Sequence, residues 1–140
     1  MVSLQPWTAL TRARTKRGPE PLVTYIDART SERTELSATS VENAVAKIAN
    51  ALRDECGLDH DSSVGLHLPW HWQRSLWWAA SAAIGARVVP FADPGAVDLI
   101  ACTPAEVASL SGAQASSHQE SLVVSMHPLG LPLTEPLPAG

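Results

Sequence analysis

Two short stretches, Val64-Gly65-Leu66-His67-Leu68-Pro69 and Gly85-Ala86-Arg87-Val88-Val89-Pro90-Phe91, decide the fold of this 140-residue chain. Each is brief and mostly apolar, the mark of a strand covered on both faces. Pro69 stops the first, because a proline has no amide hydrogen to give a ladder. The residues between them, from about His71 to Ile84, have the length of one helix, and Gly85 suits the position just past its end. Strand, helix, strand in this order is a βαβ unit, and such units build parallel sheets.

Working outward, Val41, Ala44, Val45, Ile48, Ala49, Leu52 and Cys56 recur at helical spacing and form one apolar stripe. Thr39 and Glu42 offer a capping box at its start, and Gly57 fits a left-handed residue at its end. Before it, Leu22 to Ile26 and Arg33 to Leu36 read as the arms of a hairpin around the polar turn 27–32. After the second strand, Val97 to Ala101 and Leu122 to Met126 read as further strands. A short helix opens between them at Thr103-Pro104, and Ser111 to Ser117 is a polar loop. The expected fold class is α/β: three layers, a mainly parallel sheet with helices on both faces, plus an N-terminal hairpin. Its expected divisions are an N-terminal arm (1–21), an α/β domain (22–127) and a Pro-rich tail or linker (128–140).

The arm begins with a possible helix in which Pro6 takes the first position and Trp7, Leu10 and Ala13 share a face. It also carries Arg12, Arg14, Lys16 and Arg17, four of the ten basic residues, and reads as a solvated arm. From Gly18 onward six basic residues face fourteen acidic ones, and such an acidic body disfavours nucleic acid. Hydrophobic residues make up 45% and charged residues 17%, which suits a globular domain. The longest apolar stretch, Leu76 to Ala86, is about half the ~20 residues a membrane span needs. With no charged-then-apolar leader, the expected compartment is cytoplasmic. Cys56 and Cys102 match no metal or redox spacing and read as small buried hydrophobes.

The local oddity is four tryptophans in nine residues: Trp70, Trp72, Trp77 and Trp78. On a helical wheel Gln73, Leu76, Trp77, Ala80, Ala83 and Ile84 face the sheet, and His71, Arg74, Ser75, Trp78, Ser81 and Gly85 face away. Trp77 is thus expected in the core. Trp78, with Arg74 and His71, forms the candidate interaction surface, because exposed Trp beside Arg is the composition of contact hot spots. Packing beneath the N-terminal segment is the competing role for Trp78. His60, His67 and His71 lack further ligands at metal spacing, so no metal site is expected. There is no G-x-S-x-G elbow, no G-x-G-x-x-G and no G-K-[ST], so hydrolase, dinucleotide and P-loop chemistries have no support.

Taken in order, Thr34-Glu35-Leu36, the Ala44–Leu52 helix, Cys56-Gly57 through Asp61 to Val64, Leu66-His67-Leu68-Pro69 and Gly85-Ala86-Arg87-Val88-Val89-Pro90 resemble the first subdomain of the adenylate-forming (acyl-CoA synthetase and AMP-binding) superfamily. The resemblance covers some half of the chain and implies that superfamily's fold. The superfamily's activity would need a Gly/Ser/Thr-rich phosphate loop and a lysine, since backbone amides and a cation must neutralise triphosphate. The one Ser-rich loop, 109–117, has a single glycine and no lysine. Lysine occurs only at positions 16 and 47, and no Lys or Arg follows Arg87.

The expected role is therefore a non-catalytic, adenylate-forming-like protein, with no catalytic residue and no cofactor. It would act by binding a protein partner or itself, or a small hydrophobic acyl-type ligand. The alternative is half of a split or truncated acyl-adenylating enzyme completed by another chain.

Overall fold

The computed structural model describes residues 5–90, 96–111, 120–127 and Leu133. The hairpin is β1 (Pro21–Asp27) and β2 (Glu32–Ser37), paired antiparallel, with a register shift between Pro21 and Val23. The main sheet holds β3 (Ser63–His67), β4 (Arg87–Pro90), β5 (Leu99–Cys102) and β6 (Glu120–Val123) in the order β4-β3-β5-β6, every pair parallel. Among the described residues four α-helices accompany them: α1 (Pro6–Arg17), α2 (Ala38–Asn50), α3 (Trp72–Ala83) and α4 (Pro104–Ser111).

The alternation of side chains along β5 shows the layers. Leu99 and Ala101 join Val64 and Leu66 of β3 in the larger core, with Val41, Val45 and Leu52 of the α2 segment and Leu76 and Ala80 of α3. Ile100 and Cys102 point the other way and pack with Leu110 and Val107 of α4. The expected three-layer α/β architecture is thus the observed one.

Several local expectations need correction. Ser37, not Thr39, caps α2: its Oγ accepts from the Ser40 amide at 3.1 Å. The Thr39 hydroxyl donates to the Gly18 carbonyl instead, and Glu42 leaves the cap to bind α1. The Arg14 guanidinium forms an ion pair with Glu42, and the Thr11 hydroxyl donates to it at 3.2 Å. Through these bonds the helix carrying the basic run lies on α2. Arg12, Lys16 and Arg17 face solvent.

Helix α2 continues as one π-helical turn, Ala51–Glu55, in which Cys56 N–H reaches back to the Ala51 carbonyl at 3.1 Å. Leu52 is fully buried there, while Ile48 of the same stripe is only partly covered. Strand β5 starts at Leu99 rather than Val97, because Asp98 turns its carboxylate onto Ser63. Its Oδ2 accepts from the Ser63 amide and hydroxyl, each at 2.7 Å. Strand β6 runs over Glu120–Val123, starting two residues and ending three residues earlier than expected. Phe91 and residues 112–117 of the expected loop lie outside the described residues.

Two glycines keep their predicted roles. Gly57 has φ +66° and Gly85 has φ +87°. A Cβ on Gly85 would also lie 3.0 Å from the Cβ of His60, so a larger residue there would be strained by its backbone and would crowd His60.

Candidate interaction surface

Residues 68–71 carry the chain from β3 into α3. Their placement depends on the hairpin. His71 is the N-cap of α3: its Nδ1 accepts from the Gln73 amide at 3.3 Å. That bond leaves the proton on Nε2, which donates to Glu32 Oε1 of β2 at 3.3 Å. The Tyr25 ring of β1 meets the His71 ring edge-on at 4.9 Å, and its hydroxyl donates to the Trp70 carbonyl at 3.2 Å. Burial, then the charges of Asp27 and Glu32, push the Tyr25 phenol up from its ordinary pKa, which keeps it a donor. The hairpin is thus latched to the turn by two hydrogen bonds and a ring contact.

Above this latch the indole of Trp70 is 81% exposed and that of Trp78 is 52% exposed. Arg74 lies under Trp70, its guanidinium carbon 4.4 Å from the ring centroid. Trp70, His71, Arg74, Ser75 and Trp78 line one groove of about 340 Å³. All three residues singled out from sequence, Trp78, Arg74 and His71, therefore meet in one place. They do not share one exposure. Trp78 faces solvent as expected, but Arg74 is only 8% exposed and the His71 side chain is just as covered.

Ser81, assigned with them to the outer face, is also fully buried, its hydroxyl donating to the Trp77 carbonyl at 2.9 Å. The cause is that α3 is packed by α1 and β1 as well as by α2 and the sheet. A helix covered on more than one side buries more than one stripe. Trp77 is half-buried, and Trp72 is buried with an indole N–H that meets no acceptor among the described residues.

Other groups with chemical potential are arranged structurally. His60 lies with Asp59 and Asp61, not with His67 or His71, and all three side chains are exposed. Asp59 organises its own turn, its Oδ1 accepting from the Asp61 amide at 2.9 Å and the Ser62 hydroxyl at 3.0 Å. Cys102 is buried and Cys56 half-buried, and burial pushes both thiols up, away from reactive thiolate. Among the described residues, no helix is long and apolar enough to cross a membrane.

Sequence reasoning missed Trp70, the most exposed aromatic of the groove, and the latch residues Glu32 and Tyr25. The signal for Trp70 was its place directly after Pro69, in a turn where an indole has little to cover it. The latch joins residues 39 and 45 positions apart, which no local pattern encodes.

The parallel sheet, its two helical layers and the leading hairpin form a fold that this chain shares with acyl-CoA synthetases. Acetoacetyl-CoA synthetase from Streptomyces lividans superposes with a TM-score of 0.76 at 20% identity, over 93% of this chain and 23% of that one. A Mycobacterium tuberculosis fatty acyl CoA synthetase gives 0.70 at 14% identity, over 87% and 27%. The N-terminal domain of FACL13 from the same organism gives 0.68 at 14% identity, over 85% and 33%. In sequence, a Mycobacterium tuberculosis protein described as a "TIGR03089 family protein" is 37% identical over 127 residues, 86% of this chain and 49% of that protein. The chain therefore spans about half the length of this curated relative. No protein-family model matches it.

Proposed function

We propose that this chain acts by binding, and that the groove between Trp70 and Trp78 is its contact surface for a protein partner. The observation that carries this reading is the exposed Trp70 indole over a buried Arg74, beside the Tyr25–His71–Glu32 latch and in one groove with the exposed Trp78. Large aromatic side chains held in place lose little entropy on contact, and Trp and Arg dominate interface energies. The chemistry of the adenylate-forming fold is not part of this role, because the chain has two lysines, at 16 and 47, and no Lys or Arg after Arg87. In this reading residues 22–127 are the α/β domain, 1–21 an arm laid on it and 128–140 a Pro-rich tail or linker. The compartment is the cytoplasm, and a hydrophobic acyl-type molecule is a secondary ligand class.

A second reading is favoured by one observation: the chain matches 49% of its relative and only 23–33% of the synthetases named above. A fold of this kind represented in part can be half of an acyl-adenylating enzyme completed by another chain.

The test is native isolation of the full chain from its own cells, with wild type beside Trp78→Ala. The wild type should carry one protein, or a second copy of itself, in stoichiometric amount. Trp78→Ala should lose it while melting at nearly the same temperature. A wild-type chain recovered as a bare monomer contradicts the proposal.

A further inference from the structure

We infer that the free edge of β2 is a self-pairing strand, and that its partner is β2 of a second copy of this chain, antiparallel and centred on Thr34. The hairpin is a sheet of two strands, so β2 is bonded along one edge, to β1. An unpaired edge offers its amide and carbonyl groups to another strand. Strand β2 also lacks proline and lysine, which commonly blunt such edges. Pairing two copies turns a two-stranded ribbon into a four-stranded sheet, a more stable size.

Charge selects the occupant and the register. Arg33 and Glu35 stand on the exposed face of β2, their side chains 60% and 43% exposed, opposite Ile26 and Thr24 of β1. A second β2 related by a two-fold axis at Thr34 sets Arg33 of each copy against Glu35 of the other. Moving the axis one residue either way sets Arg33 against Arg33 or Glu35 against Glu35, and like charges directly opposite are destabilising. Within one chain Arg33 and Glu35 already form an ion pair. They are separated there by about 6.5 Å of strand, whereas directly opposed residues of antiparallel strands have Cβ atoms about 4.5–5.5 Å apart. Association therefore keeps both charges partnered and adds the ladder hydrogen bonds. This contact is separate from the proposed contact groove, because neither Arg33 nor Glu35 lines it.

The experiment is sedimentation equilibrium of the full chain over a dilution series. Wild type should approach twice the 14.9 kDa chain mass as concentration rises. Arg33→Glu puts four acids at the seam and Glu35→Arg four arginines, so each variant alone should stay at monomer mass. Mixed in equal amounts, the two should return to double mass, since every opposed pair again has opposite charges. Thermal melts of both variants should match wild type, as these are surface changes. Trp78→Ala should dimerise as wild type does. A wild type that is monomeric at every concentration, single variants that dimerise as well as wild type, or a mixture that stays monomeric would overturn the inference. A dimer kept by both charge variants and lost in Trp78→Ala would place the second copy on the Trp70–Trp78 groove, so this inference would fall while that reading stands. A β2 dimer confirmed by the mixture, beside a Trp78→Ala chain that releases no partner in native isolation, would sink the groove and leave this inference standing.

Discussion

The Arg74 guanidinium lies 4.4 Å from the centre of the Trp70 ring, so the most exposed indole of the groove rests on a residue that is itself buried. A planar guanidinium stacks on a ring in a way a lysine ammonium does not. Arg74→Lys should therefore loosen Trp70. Trp70→Ala should cost about 0.5–1 kcal/mol, the range of a cation–π contact at an exposed site. Thermal melts check the second figure. Fluorescence anisotropy of a chain retaining Trp70 alone checks the first, with faster indole motion expected in Arg74→Lys.

Trp77 and Trp78 are neighbours in sequence with different surroundings. Trp77 is half-buried against the main core, so Trp77→Ala should cost about 1–3 kcal/mol, below the 3–5 of a fully buried tryptophan. Trp78 is exposed, and Trp78→Ala should stay within about 1 kcal/mol of wild type. Urea unfolding of the two variants separates them. Equal losses would make Trp78 ordinary core and remove the contact surface.

Leu52 and Ile48 belong to one predicted stripe, yet Leu52 is fully buried and Ile48 only partly so. Leu52→Ala should cost about 2–5 kcal/mol as a large-to-small core change. Ile48→Ala should cost less than about 2 kcal/mol, since less of its surface leaves water on folding. Denaturant midpoints, with unchanged slopes, give both values.

This contrast marks what the sequence could and could not say. The periodicity of Val41 to Leu52 and the apolar runs around Gly65 and Val88 were enough for the βαβ order, because a strand or helix face is encoded by residues close in sequence. Gly57 and Gly85 were legible for the same reason: their left-handed backbone is a local demand. The cap of α2 was misread because Ser37, Thr39 and Ser40 all offer hydroxyls, and only tertiary contact with Gly18 decides which one caps. Arg74 and Ser81 were placed outward because one wheel was assigned one covered face, whereas α1 and β1 cover another. The groove was half legible. Trp78 was found by composition, but the latch through Tyr25 and Glu32 needs the hairpin folded over.

Acid should act on the clamp between β3 and β5. Hydrogen bonds from the Ser63 hydroxyl and then the Ser63 amide hold the Asp98 carboxyl below the ordinary aspartate value of about 3.9. The folded chain then binds fewer protons at this site than the unfolded chain. Its contribution is complete above about pH 5 and is lost as pH falls through the lowered folded value. Asp98→Asn should melt at a lower temperature than wild type at pH 7, and the gap should narrow below about pH 4. A gap independent of pH would show that the carboxylate charge plays no part.

The chain shares the fold of acyl-CoA synthetases but lacks the cations that adenylation needs on a triphosphate. Purified full-length chain, incubated with ATP, magnesium and a panel of fatty and aryl acids, can be followed for pyrophosphate release. The absence of a phosphate-loop lysine, and of any Lys or Arg after Arg87, predicts no release above the no-enzyme background. Sustained, acid-dependent pyrophosphate release by the chain alone would contradict it.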